Sequence, residues 1–434
     1  AFVLQKSSIS NIAGRFLRLF EKQGSVANNK ELERRFHAKP RFTTPNSELK
    51  KIPGSPVAYW VSKKQIELMK FEPLSKVATF KEGITTANND MFLRFWAEVD
   101  YFKITFGASL SSSDMQWVPY NKGGAFRRWY GNQFHVVDWR SNGSRIRGYN
   151  GSSFRNPTYH FQNGATFSAL SIGQLSVRFS GCGFAFDSKG TMLFSEKKLE
   201  AVVAYLNSKI CSDLLKLVTP TVDFRFGTIQ KLPFLDSDHK NFRKLVSISK
   251  FDWDSYERSW DFQSLPIVTA SLESAPILAS SYTAWIAQNR EAIAEMKRLE
   301  EENNRLFIDT YGLQDGLTPD VPIEQITLTV NPAYRYGGNL TEDELWIRFR
   351  EDTMMELISY AIGCLMGRYS LDASGLIYAH SGNEGFDLSR YPTFAADDDG
   401  IVPLTDTEWF EDDACLRLVE FISVAWDETH LEDN

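Results

Sequence analysis

The segment Trp117 to Trp139, WVPYNKGGAFRRWYGNQFHVVDW, gathers side chains of three kinds. Lys122, Arg127 and Arg128 are cations able to neutralise phosphates, and Arg140, Arg145 and Arg147 follow shortly after. Asn121, Asn132 and Gln133 carry amides able to pair with a base edge. Trp117, Tyr120, Trp129, Tyr130 and Trp139 offer planes for stacking. Thr85, Asn88 and Asn89 add a hydroxyl and two amides upstream. From Thr221 to Phe226 the residues alternate, so Thr221, Asp223 and Arg225 share the polar face of an expected strand. That face could read a base; Asp223 and Arg225 could equally pair with each other. Nucleic-acid binding is one reading of these groups. A sugar or peptide site, or buried rings with solvated cations, is another.

Catalytic chemistry finds less to work with. The six histidines, His37, His135, His160, His239, His380 and His430, show no metal-ligand spacing, and no nucleophile elbow or phosphate-binding loop occurs. A methyltransferase needs a Gly-rich turn opening a helix, for S-adenosylmethionine. It also needs an Asn-Pro-Pro-Tyr-type turn that holds a flipped base. Phe179-Ser180-Gly181-Cys182-Gly183 imitates the first but continues as a strand. Asn156-Pro157-Thr158-Tyr159 and Asn331-Pro332-Ala333-Tyr334 each lack the second proline. The expectation is a chain without its own catalytic centre, cofactor or metal.

The 434 residues are 43% hydrophobic and 24% charged, with four scattered cysteines and no C-x-x-C pair. Such values describe a globular, reduced, cytoplasmic protein of two to three domains. The most apolar window, Leu357 to Gly367, is shorter than the ~18 residues of a membrane span and reads as a buried helix. Net charge is −7, but its distribution is uneven. Between Tyr391 and Asn434 thirteen acids face Arg417 alone, whereas Trp117–Tyr149 carries six bases against Asp138. A basic binding face and an acidic segment repelled by nucleic acid are implied.

These groups need elements to hold them. The expected class is mixed α/β (α+β): a loop-rich recognition domain followed by a mostly helical C-terminal region. The boundaries read as a basic helix and linker over 1–50, the recognition domain over 51–235, the helical region over 236–390 and the acidic segment over 391–434. Ile12, Phe16, Leu19 and Phe20 have helical spacing; Gln65–Phe71 reads as a short helix. Phe184–Phe186, the turn Asp187–Gly190 and Thr191–Phe194 read as a hairpin. Ser195 is the expected N-cap of one helix, with Leu199, Val202, Leu206, Ile210, Leu214 and Leu217 inward, ended by Thr219-Pro220. Further helices are expected over Ser281–Phe307 and Glu342–Tyr369.

Several long motifs carry a resemblance. IPGSPVAYW (52–60), GITTANNDMFLRFWAEV (83–99), WVPYNKGGAFRRWYGN with DWRSNGSRIR (138–147) and ATFSALS (165–171) resemble PglX-type proteins. These are adenine-specific DNA methyltransferases of BREX phage-defence systems. The resemblance includes the Asp187–Gly190 turn and continues through SKFDWDSYERSWDF (249–262), LFIDTYGLQD (306–315) and ISYAIGCLMGRYSLD (358–372). It covers the chain from about Lys50 and points to the family's C-terminal half. LNSKICSDLLKLVTPTVDFRFGTIQKLPF (206–234) also resembles the closing segment of target-recognition domains in type I specificity subunits. The family's S-adenosylmethionine and Asn-Pro-Pro-Tyr motifs are absent here, and the chain opens on Ala1, so the resemblance implies a target-recognition fragment. It implies double-stranded DNA, the parent's N-terminal methyltransferase domain and other BREX proteins as partners, with acidic phage DNA mimics as competitors and no membrane. The alternative is a protein–protein interaction module of a defence complex without DNA readout. The chemistry named above makes Lys122, Arg127, Arg128, Trp129, Tyr130, Asn132, Arg140, Arg145, Arg147, Thr85, Asn88, Asn89, Thr221, Asp223 and Arg225 the candidate DNA contacts.

Overall fold

The computed structural model describes residues 13–20, 26, 28–51, 58–169, 174–218, 224–274, 277–380, 384–407, 409–426 and 428–433. Two four-stranded sheets organise the first half. In the first, Val177–Ser180, Gly164–Ser168, Gly190–Phe194 and Thr79–Lys81 lie in that order, all antiparallel. Gly164–Ser168 and Gly190–Phe194 are buried at every position, so both faces of the sheet meet protein. In the second, Ala185–Phe186 runs parallel to Trp117–Asn121, followed by antiparallel His135–Asp138 and Leu93–Phe95. A small ribbon pairs Ile84–Thr85 with Ser153–Phe154.

Several sequence expectations give way to tertiary partners. Phe184–Phe194 is not a hairpin, because its two strands enter different sheets. The Asp187 carboxylate, accepting from Lys189 N at 2.7 Å, turns the chain from one sheet to the other. The helix from Leu199 breaks into Leu199–Leu206 and Lys209–Val218. At the break the Asn207 amide pairs with both backbone groups of Val177, at 2.9 Å each, and extends the first sheet's edge. Ser195 Oγ accepts from Lys198 N, but Lys198 is the cap residue. Thr219 to Asp223 lie outside the described residues. In the described part of the expected strand, Phe224 N donates to Ala169 O at 2.8 Å and Phe226 opens a helical turn, Phe226–Ile229, instead of continuing a strand. Near the N-terminus Ala13–Leu17 is a strand, paired with Arg41–Pro45, rather than a helix. Phe16 opposes Phe42 there and stacks on Tyr59 at 4.7 Å, a cross-strand contact that overrides the helical spacing. The Gln65 region is helical over Lys63–Leu68, closed by a Ser62/Gln65 capping box.

The second half is helical. Phe242–Asp254, Pro266–Ser274, Leu278–Tyr311 and Glu342–Leu365 supply most of it. Their apolar faces extend the core of the first sheet: one cluster joins Phe167, Val202 and Leu214 to Leu245, Met296, Phe307 and Phe349. Position 235 therefore marks a change of composition within continuous packing. The acidic segment is partly folded: Ala414–Ala425 is a helix whose Phe421 meets Tyr360, and Trp426 Nε1 donates to Ser281 Oγ at 2.8 Å. Among the described residues no helix is long and apolar enough to cross a membrane.

Candidate nucleic-acid interface

The basic stretch 117–149 leaves the second sheet, dives inward and returns. Trp129 is fully buried. Its backbone bridges to Arg178 on the first sheet's edge: Trp129 N donates to Val177 O and Phe179 N to Trp129 O. Its indole is fully buried and donates to Glu300 Oε1 at 2.7 Å. Arg128 pairs with the same carboxylate at 2.9 Å, and Arg127 pairs with Asp252 at 3.1 Å. Burial pushes the Glu300 carboxyl up, while Arg128 and the indole favour its charged form. Tyr130 and Asn132 are also buried; the Asn132 amide donates to Ala125 O. Arg127, Arg128, Trp129, Tyr130 and Asn132, expected on the binding face, thus belong to the interior. The carboxylates that claim the arginines come from helices more than 120 residues away.

Of the remaining candidates, Asn88, Asn89 and Lys122 lie on one hydrogen-bonded network beside the second sheet. Asn88 caps the turn Asn89–Phe92 and donates to Tyr149 OH at 3.1 Å. Asn89 accepts from Thr86 Oγ1 and from Lys122 Nζ, at 2.7 and 3.2 Å. Lys122 also pairs at 2.6 Å with buried Asp187, which accepts from Tyr120 OH at 3.0 Å. Burial, reinforced by Asp187, raises the Tyr120 phenol well above its usual range. Thr85 is half-buried in the adjoining ribbon.

After His135–Asp138 the chain makes an unusual turn. Ser141, Asn142 and Gly143 are all left-handed, with φ of 51°, 56° and 71°. Each such non-Gly residue costs about 1 kcal/mol or more, a strain that concentrates at functional sites. Gly143 is required: a Cβ there would stand 2.8 Å from the Phe154 ring. Asp138, beneath the turn, accepts from Arg140 at 2.6 and 2.9 Å and from Arg145 at 2.5 Å. Despite the cost of burial, these bonds hold its carboxyl below the usual range. One buried carboxylate thus serves two guanidiniums that remain 48% and 42% exposed. Arg147 lies 3.5 Å over the Phe154 ring and donates to Asn142 O.

Arg140, Arg145 and Arg147 are three exposed cations around this turn, with the exposed Ser141 and Asn142 between the first two in sequence, and Lys122 lies toward the other end of the strand Trp117–Asn121. Ser141 and Asn142 were not among the residues expected from the sequence. The adjacent Asn-Gly, a common left-handed turn pair, was the available signal. Arg225 is exposed at the start of the helical turn Phe226–Ile229; Thr221 and Asp223 lie outside the described residues.

The turns that imitate methyltransferase motifs do not fit the cofactor or a flipped base. Gly181–Gly183 leads into the strand Ala185–Phe186, not a helix, and a Cβ on Gly183 would meet the Gly107 backbone at 2.8 Å. The Asn156 amide is spent on Glu82 O. The buried Asn331 amide is spent on Ile323 O and Ile326 O, and Tyr334 OH donates to Phe126 O.

Two curated relatives, both adenine-specific methyltransferases, are similar to this chain. It is 34% identical to the adenine-specific methyltransferase PglX of Lacticaseibacillus casei (strain Zhang) over 466 aligned positions, covering all of this chain and 36% of the relative. It is 37% identical to the adenine-specific methyltransferase BrxX of Escherichia coli O9:H4 (strain HS) over 401 positions, covering 90% of this chain and 32% of the relative. The chain matches one part of these PglX-type proteins and spans about a third of the length of the curated relatives it matches. No family model matches it.

Proposed function

We propose that this chain supplies DNA target recognition for site-specific, S-adenosylmethionine-dependent methylation of adenine in BREX anti-phage defence. It grips duplex DNA while a catalytic part of the parent protein flips an adenine and methylates its exocyclic amine. Three exposed arginines around a strained, amide-bearing turn carry this reading. The cations would hold phosphates and set register; Asn142, Asn88 and Asn89 have the amide chemistry that reads adenine edges. The resemblance to PglX-type proteins supplies the defence role and the other BREX proteins as partners. Acidic DNA mimics would compete for the same face.

A domain exchange tests the reading. Residues Leu74 to Phe234 are replaced in a full-length PglX-type methyltransferase by the matching segment of a relative with a different target, and methylated adenines are mapped by long-read sequencing. The donor's site should appear, because each bidentate base contact discriminates by about 1–3 kcal/mol. An active chimaera that keeps the recipient's site would place specificity elsewhere. A second reading, docking of a protein partner, is favoured by Phe102 and Leu110, which are 78% and 61% exposed. DNA affinity that is absent or insensitive to salt would favour it.

A further inference from the structure

A cavity of about 670 Å³ opens where the inward stretch meets the helical half. Its wall alternates guanidinium and ring. Arg127 lies over Trp253 at 5.2 Å, Arg258 over Trp253 and Tyr256 at 4.5 and 4.9 Å, and Arg335 over Tyr256 at 5.7 Å. Arg127 is matched by Asp252, and Arg335 by Asp352 and Glu356. Arg258 has no carboxylate at ion-pair distance among the described residues. It donates to Thr329 Oγ1, the hydroxyl that also accepts from Arg127. Arg258 Nε and Arg335 Nη1 are buried without a hydrogen-bond partner. Burial, and Arg127 nearby, hold Arg258 below the usual guanidinium range, while Asp252 acts in the opposite direction. Two acids, Glu257 and Glu356, also line the cavity, and burial pushes both up toward the neutral form.

A guanidinium without a carboxylate partner in the wall of a partly buried cavity calls for an acceptor-rich anion. Guanidiniums already lie over the Trp253 and Tyr256 rings of the wall. We propose that this cavity binds a phosphate group, held by Arg258 with Arg335 beside it. The cavity is larger than one phosphate needs, leaving room for what is attached: a free nucleotide or a DNA strand. The DNA source rests on the recognition role proposed above; the free ligand does not.

The test titrates the full chain calorimetrically with inorganic phosphate, pyrophosphate, AMP and, as an uncharged control, adenosine. A parallel arm measures duplex DNA affinity. Two variants are compared, R258Q and A125E. Ala125 is an exposed residue on the cavity wall, so A125E adds a negative charge without disturbing the core. Saturable binding of pyrophosphate or AMP but not adenosine, weakened about tenfold or more by either variant, establishes a free phosphate ligand. No binding of these probes, with DNA affinity reduced about tenfold in both variants, assigns the site to a backbone phosphate. No phosphate-bearing probe bound and DNA affinity unchanged in folded A125E, or both variants matching wild type in both arms, would overturn the proposal. Failure of the DNA arm alone, with AMP still bound, leaves the cavity proposal standing and counts against the recognition role.

Discussion

Arg127 and Arg128 stand fewer than twenty residues from Arg140 and Arg145, in one basic stretch, and all four are paired with carboxylates. The first pair is 5% and 6% exposed; the second is 48% and 42% exposed. Inside, each arginine has its own acid. Outside, two arginines share Asp138, so a positive charge is left over at the surface. The contrast teaches that the same side chain in the same stretch is mortar or bait according to the acid supplied opposite it. Asp252 and Glu300 come from distant helices, whereas Asp138 is a neighbour in sequence.

Stability should separate the two pairs most sharply. Arg127→Ala or Arg128→Ala strands a buried carboxylate and should cost about 3–5 kcal/mol in urea unfolding. Arg140→Ala or Arg145→Ala should cost at most about 1 kcal/mol, because the partner keeps the other arginine. Equal losses at both sites would break the comparison.

The outward face also rests on a titratable ring. Burial lowers His160 to about 4, among Trp139, Phe154 and Phe186 and close to Arg147. The unfolded chain takes up this proton near pH 6.5 and the folded one near 4. Stability is therefore complete above about pH 6.5 and falls as pH drops toward 4, by on the order of 3 kcal/mol. His160→Phe should remove that part of the slope. A wild-type slope in the variant would show that His160 is not held neutral.

DNA binding gives the smallest but most specific contrast. If Lys122, Arg140, Arg145 and Arg147 engage phosphates, log affinity against log salt should have a slope of about −3.6. The double variant R140A/R145A should flatten it by up to about two units. Arg127 and Arg128, expected from sequence to produce that effect, should leave the slope unchanged in any variant that folds.

Some of this was legible in the residues alone. The long helix expected over Ser281–Phe307 is present as Leu278–Tyr311, and the one from Glu342 runs to Leu365, because a 3.6-residue apolar period survives in a long segment. The strands Ala185–Phe186 and Gly190–Phe194 were also visible, but not their separation into two sheets. Composition identified 117–149 as the basic, aromatic, amide-rich stretch, and motif resemblance identified the PglX type. Periodicity could not tell which cations face out, since the stretch is irregular and its direction is set by a backbone bridge to Arg178 and by acids far along the chain. Residue type and local period are properties of neighbours in sequence and can be read there. Burial and ion pairing depend on which distant groups arrive opposite, and only the packing of the helical half against the sheets decided that.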